Sequence, residues 1–118
     1  MAEDWLRGRL SDPAGAPATG EVVERLATFG CVVVEQIRSG ALEAPVDYEQ
    51  PDDEWVVLLT GAATLVVDGR TLELVPGDWL YLPAGRPHRL VETQPGSSWL
   101  AVYSTTRSGS YPTRGRDT

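Results

Sequence analysis

The chain has 118 residues, 42% of them hydrophobic, and 17 acidic against 10 basic side chains for a formal net charge of -7, the size and composition of one globular domain. Every basic residue is an arginine, and the acidic excess excludes a surface that binds phosphate backbones by displacing counterions. No apolar run approaches the roughly 20 residues of a membrane helix, and residues 1–10 bring acids where a secretory signal would be apolar, so the expectation is a cytoplasmic protein with neither nucleic acid nor membrane as partner.

In chain order, residues 1–20 read as a flexible leader, because Ser11-Asp12-Pro13-Ala14-Gly15-Ala16-Pro17 is rich in turn formers. Residues 21–27 fit a short helical turn or a segment leading into the fold. Residues 30–37 have the β-branched enrichment of a strand. The lone Cys31 opens its apolar run Cys31-Val32-Val33-Val34, has no partner for an internal disulfide and reads as a buried thiol.

Residues 54–60, 63–67 and 70–74 then alternate as strands, and Asp68-Gly69 between the last two is a two-residue hairpin signal. Residues 79–82, 88–92 and 98–104 complete the set, separated by Pro76-Gly77 and Pro83-Ala84-Gly85. Short strands punctuated every eight to twelve residues predict an all-β sandwich or barrel of antiparallel strands over residues 21–104. Residues 105–118, rich in Ser, Gly, Thr and Arg, read as a flexible tail.

Two spacings carry chemistry. Gly77 is followed by five residues, then Pro83-Ala84-Gly85, two residues and His88; upstream, Glu54 is followed by six residues and Gly61. Together they resemble the second and first motifs of the cupin family over about residues 30–104. The resemblance implies a cupin jelly-roll β-barrel of two antiparallel sheets enclosing a cavity. It also implies a divalent metal held by the Glu, the second-motif His and an H-x-H pair upstream of the Glu.

Here the pattern departs: no histidine precedes Glu54, and His88 is the single histidine. Depending on spacing, the positions of the pair fall on Tyr48 and Gln50 or on Asp47 and Glu49, and Pro51 favours the first register. A site of Tyr48, Gln50, Glu54 and His88 could hold Zn, Mn, Fe or Ni with water completing the shell, although an amide oxygen and a phenol are weaker donors than two imidazoles. Without a metal, Glu54 and His88 form an acid-base pair and Tyr48 supplies a hydrogen bond to a developing oxyanion.

Strand alternation adds candidates for the cavity wall. His88, Leu90 and Glu92 share a parity, which makes Glu92 a second interior carboxylate, and Tyr81 and Tyr103 are placed at the cavity mouth. Asp52 and Asp53 read as a solvated turn, and Arg86 as a turn residue beside the cavity. The tryptophans Trp5, Trp55, Trp79 and Trp99 read as fillers of core or interface.

The functional expectation is a small cupin acting on or binding a small polar molecule through isomerase, lyase or cyclase chemistry. Its rivals are a non-catalytic ligand-binding or sensing module and a metal-dependent oxygenase, the latter weakened by the shortage of histidine. The resemblance further implies a homodimer through edge strands.

Overall fold

The computed structural model describes residues 5–104, so the expected tail at 105–118 and the start of the leader lie outside the described residues. Nine strands form two antiparallel sheets. They are β1 (Glu21–Phe29), β2 (Val32–Ser39), β3 (Val46–Tyr48), β4 (Glu54–Thr60), β5 (Ala63–Val67), β6 (Arg70–Leu74), β7 (Trp79–Leu82), β8 (His88–Thr93) and β9 (Ser97–Ser104). One sheet runs β1-β2-β9-β4-β7 and the other β3-β8-β5-β6, the antiparallel barrel expected from the turn spacing and the jelly roll that the cupin resemblance implied.

The inner faces meet in a core of Ile37, Val56, Leu58, Leu65, Leu74, Leu90 and Trp99, all close to fully buried. Each such side chain removed from water contributes roughly 1.5–3 kcal/mol to the fold. Trp99 occupies the middle of this layer, and its indole N–H donates to Ser39 Oγ across 3.2 Å, so the one polar atom it buries is satisfied. The other tryptophans differ from the core reading: Trp5 and Trp79 are exposed, and Trp55 and Trp79 lie against each other with ring centroids 6.0 Å apart. Their positions take the outward parity of β4 and β7.

Two further expectations are corrected. Residues 21–27 are strand, because β2 pairs with them from Glu21 opposite Ser39 to Phe29 opposite Val32, with a bulge at Leu26. Cys31 is exposed, since it falls in the turn between Phe29 and Val32 and therefore outside the sheet.

The Asp68-Gly69 turn closes the β5-β6 hairpin with φ of 52° and 74°, both left-handed, as a two-residue turn of this twist requires. Gly61, the last residue of the first motif, has φ of 89°, and a Cβ there would lie 2.7 Å from Ser97 Cα. The motif glycine is therefore a packing requirement between the β4-β5 turn and β9.

From Ser11 onward the leader lies on the outer face of β2. Gln36 and Ser11 exchange two hydrogen bonds, Ser11 N–H to Gln36 Oε1 at 2.8 Å and Gln36 Nε2 to the Ser11 carbonyl at 2.9 Å. This cover explains why Glu35, Gln36 and Ile37 are all buried in succession, a pattern that one-sided strands do not show.

Candidate functional site

Two loops bring the motifs together at one end of the barrel. The Gly85 N–H donates to the Gln50 carbonyl at 2.8 Å, and the Ala84 N–H donates to Asp53 Oδ1 at 2.8 Å. These bonds lace the segment leading into Glu54 to the turn leading into His88. Glu54 opens β4 with 2% of its surface exposed, opposite Leu82 on one side and Tyr103 on the other.

His88 opens β8 and faces Tyr48 of β3 in register, and the two rings stack with centroids 5.4 Å apart and an interplanar angle of 17°. His88 Nδ1 lies 3.1 Å from the Arg86 carbonyl oxygen. A carbonyl only accepts, so the proton of the neutral ring sits on Nδ1 and the lone pair on Nε2. Arg86 is in turn held by Asp68 at 2.8 Å, which ties the turn before His88 to the β5-β6 hairpin.

Tyr48, Glu54 and His88 line one interior cavity, floored by Ile37, Leu65 and Trp99. Its room is about 30 Å³, enough for a water molecule or an ion and too little for an organic substrate. The polar groups thus converge on a small, mostly apolar chamber, where an electrostatic interaction is stronger than in bulk water.

The remaining candidates are distributed differently. Gln50 is half-buried and is not among the residues lining the chamber; its backbone carbonyl is what accepts from Gly85. Asp47 and Glu49, the alternative register, are exposed; Asp47 pairs with Arg89 on the outer face at 2.7 and 3.2 Å, and that guanidinium holds the Asp47 carboxyl below its ordinary range. Glu92 is exposed and lines a separate groove with Glu73 and Thr93. The reason is a bulge: Thr64 pairs with Glu92 but Leu65 with Leu90, so Val91 is inserted and the parity after it reverses. Thr93 takes the inward place instead, donating to the Gly40 carbonyl at 2.6 Å.

Tyr81 is 54% exposed on the outer face, opposite Trp55, and is no part of the cavity wall. Tyr103 is buried beside Glu54, and its hydroxyl donates to Glu35 Oε2 at 2.9 Å. Burial first, and then this bond to Glu35, push its phenol up to about 12. Asp52 departs from the solvated-turn reading: it is buried, and its Oδ2 has no hydrogen-bond partner among the described residues.

Glu35 is the residue that the motifs do not reveal. It is 4% exposed, and its second oxygen, Oε1, has no hydrogen-bond partner among the described residues. The signal was available in strand parity, since Val33, Glu35 and Ile37 alternate onto the inner face of β2.

Among the described residues, no three His, Cys, Asp or Glu side chains come together in a metal-holding group. The chamber is lined by one imidazole, a phenol and two carboxylates, Glu21 and Glu54, and this set, which does not gather into a group of three ligands, does not fit a transition-metal centre of the usual donor strength. The chemistry of the chamber is therefore derived from its own side chains.

Comparison with known proteins agrees with the architecture. The model of the Cupin domain family matches residues 33–103. No curated protein matches the chain. Among solved structures, a "putative mannose-6-phosphate isomerase" from Ralstonia eutropha JMP134 is 30% identical, with a TM-score of 0.69 over 84% of this chain and 100% of that one. A cupin 2 conserved barrel domain protein from Salinispora arenicola CNS-205 is 22% identical, TM-score 0.60, over 87% and 92%. KdgF from Halomonas sp. is 18% identical, TM-score 0.61, over 75% and 82%; the last two likenesses are of fold.

Proposed function

The chain belongs to the cupin family, and from that footing we propose that it is a small-molecule enzyme performing acid-base chemistry on a polar carbonyl compound, with Glu54, His88 and Tyr48 as its working groups. The reading rests on one observation: the His88 ring, anchored through Nδ1 to the Arg86 carbonyl and stacked on Tyr48, lines the same chamber as the buried Glu54. In this scheme Nε2 of His88 takes a proton from the carbon beside the carbonyl. Glu54 stabilises the resulting imidazolium, and Tyr48 donates to the enolate oxygen. Where the deprotonated carbon carries a hydroxyl, the enolate oxygen is protonated, that hydroxyl gives up its proton to become the new carbonyl, and return of the proton from His88 to the former carbonyl carbon completes an isomerisation; where the next carbon carries a leaving group, its departure with the electron pair gives a lyase.

The likeness to the "putative mannose-6-phosphate isomerase" of Ralstonia eutropha JMP134, at 30% identity, supports the isomerase branch. A second reading, a non-catalytic binding or sensing barrel, draws support from the chamber's room of about 30 Å³ only in that this space does not hold a substrate without opening. The two separate in one assay of aldose-ketose interconversion, with mannose 6-phosphate and mannose as substrates, run on the wild type, Glu54→Gln and His88→Ala. The enzyme reading expects a fall of about 10²–10⁴-fold in turnover for each variant. No turnover by the wild type, or unchanged turnover in both variants, sinks it.

A homodimer belongs to the same proposal. The outer strands of the five-stranded sheet carry exposed apolar side chains, Val22, Val23 and Phe29 on β1 and Trp79 and Tyr81 on β7. Sheet edges of this kind are covered in stable proteins.

A further inference from the structure

The chamber has a fourth polar group, supplied by a residue outside both motifs. Glu21 opens β1 and lines the chamber together with Glu54, His88 and Tyr48. It stands opposite Ser39 in the β1-β2 ladder, and directly paired residues share a face, so its side chain is carried inward beside the fully buried Ser39. Ser39 Oγ donates to Glu21 Oε2 at 3.2 Å and accepts from the Trp99 indole at 3.2 Å. The indole only donates, so the hydroxyl proton goes to the carboxylate and orients it.

The segment before Glu21 is fixed as tightly. The Gly20 N–H donates to the Ala41 carbonyl at 3.1 Å, and the Gly20 carbonyl accepts from Gly40 at 2.8 Å. A Cβ on Gly40 would run into the Pro17 carbonyl oxygen, so the chains cross there only with glycine. The fold alone does not call for a carboxylate at this place. Carrying one into a mostly apolar chamber costs desolvation that an apolar side chain at position 21 would avoid.

We propose that Glu21 is a further catalytic residue of the chamber, the group that carries a proton between the two oxygens of the substrate. This rests on the reading of His88 as the base for the carbon-bound proton, and completes it. An α-hydroxy carbonyl compound and its isomer differ by one hydrogen moved from carbon to carbon and another moved from oxygen to oxygen. His88 accepts through Nε2 alone, because Nδ1 is committed to the Arg86 carbonyl. While Nε2 holds the proton from carbon, the oxygens need a second carrier.

The step balances. His88 takes the proton from the hydroxyl-bearing carbon, the C–H electron pair becomes the C=C bond, and the carbonyl pair moves onto its oxygen. The Glu21 carboxylate takes the hydroxyl proton and delivers it to that oxygen. The oxygen left bare re-forms a carbonyl, and the C=C pair takes back the proton held by His88 at the former carbonyl carbon. Glu21 ends as a carboxylate and His88 as a neutral ring. The two carriers come from different sheets, Glu21 on β1 and His88 on β8, so the substrate lies between them.

Glu21 also marks the way in. β1 and β3 are edge strands of different sheets, and no ladder joins them. Glu21 of β1 and Val46 of β3 line one open groove with Leu42 and Pro45, with room for about 350 Å³, inside the range of about 300–1,000 Å³ for small-molecule sites. Glu21 is half-buried and belongs to the walls of both groove and chamber. Farther along the inward side of β1, Val23 and Arg25 are exposed although their partners Ile37 and Glu35 are buried, so this flank of the barrel is open. A substrate larger than the chamber enters where the sheets part without breaking a ladder.

The test separates the two proton transfers. The full chain, as wild type, Glu21→Gln and His88→Ala, is given mannose 6-phosphate or mannose deuterated at C2. NMR follows ketose formation and replacement of the C2 deuterium by solvent hydrogen. Glutamine still accepts from Ser39 but carries no proton. Glu21→Gln is therefore expected to fold as the wild type does and to form ketose about 10²-fold more slowly, with KM changed less than threefold and C2 exchange slowed less than tenfold. His88→Ala loses both reactions.

Ketose formation at the wild-type rate in Glu21→Gln overturns the proposal. Equal loss of ketose formation and exchange, or loss of the folded state, does the same, since either makes Glu21 a structural residue. In those cases His88→Ala still lacks exchange, and the reading of His88 stands. No reaction by the wild type, or wild-type exchange in His88→Ala, removes the reading of His88 and the role of Glu21 with it.

Discussion

Tyr103 of β9 donates its hydroxyl hydrogen to Glu35 of β2 across 2.9 Å; both side chains are buried, and Tyr103 stands opposite Glu54 of β4. Burial and the carboxylate raise the Tyr103 phenol from 10.0 to about 12. A group with a raised folded value contributes its stability in full below the unfolded value and loses it as pH climbs through the folded one. Stability therefore declines from about pH 10 to pH 12, by an amount on the order of 2 kcal/mol. Urea denaturation at stepped pH, wild type against Tyr103→Phe, measures it. The variant lacks this alkaline component and is weaker at neutral pH by about 1–3 kcal/mol, because Glu35 is left buried without its donor.

Gly61 is expected to tolerate no side chain. Its φ of 89° and the approach of Ser97 both oppose a Cβ, so Gly61→Ala lowers stability by about 1–3 kcal/mol without touching the chamber. Denaturation midpoints report the loss. A variant as stable as the wild type would mean that the β4-β5 turn relaxes away from β9.

Metal content separates the donor-set argument from the family's usual chemistry. Elemental analysis of freshly purified protein is expected to find well below one transition-metal ion per chain, with no difference in the His88→Ala variant. Chelator treatment leaves the melting temperature unchanged. A stoichiometric ion lost in that variant would place a metal on Glu54 and His88 in spite of the weak donors around them.

Association is read by light scattering on eluting protein. A dimer is expected, and a lysine placed on the surface that forms it shifts the equilibrium to monomer: Val23→Lys if β1 pairs, Trp79→Lys if the outer face of β7 does. A monomer at all concentrations in the wild type removes the dimer.

The barrel was legible because its signals are local. Asp68-Gly69, Pro76-Gly77 and Pro83-Ala84-Gly85 fall between short runs rich in β-branched, leucine and aromatic residues, and seven of the nine strands were read within a residue or two, β3 (Val46–Tyr48) being too short to stand out. Strand β1 was not, since Val22-Val23-Glu24-Arg25 has no alternation of its own and becomes a strand by pairing with β2.

The relation of Glu54, His88 and Tyr48 was legible through motif spacing. Glu92 was misplaced because a bulge at Val91 leaves no mark in composition, yet it inverts every side chain after it. Glu35 escaped notice for a different reason: a carboxylate inside an apolar strand reads as solvent-facing until its neighbours on both faces are known.

The strand order has a consequence for how the barrel is made. β9, the last of the described strands, lies between β2 and β4, so two early strands wait with open edges until it inserts. Assembly of that sheet is limited by a contact between residues some seventy positions apart, such as Val33 with Tyr103. Folding of this kind is slow for the size of the chain. Glu35 and Glu54 both neighbour Tyr103, so their surroundings are completed in that same final step, and a chain cut before residue 97 would expose two carboxylates on unpaired strands.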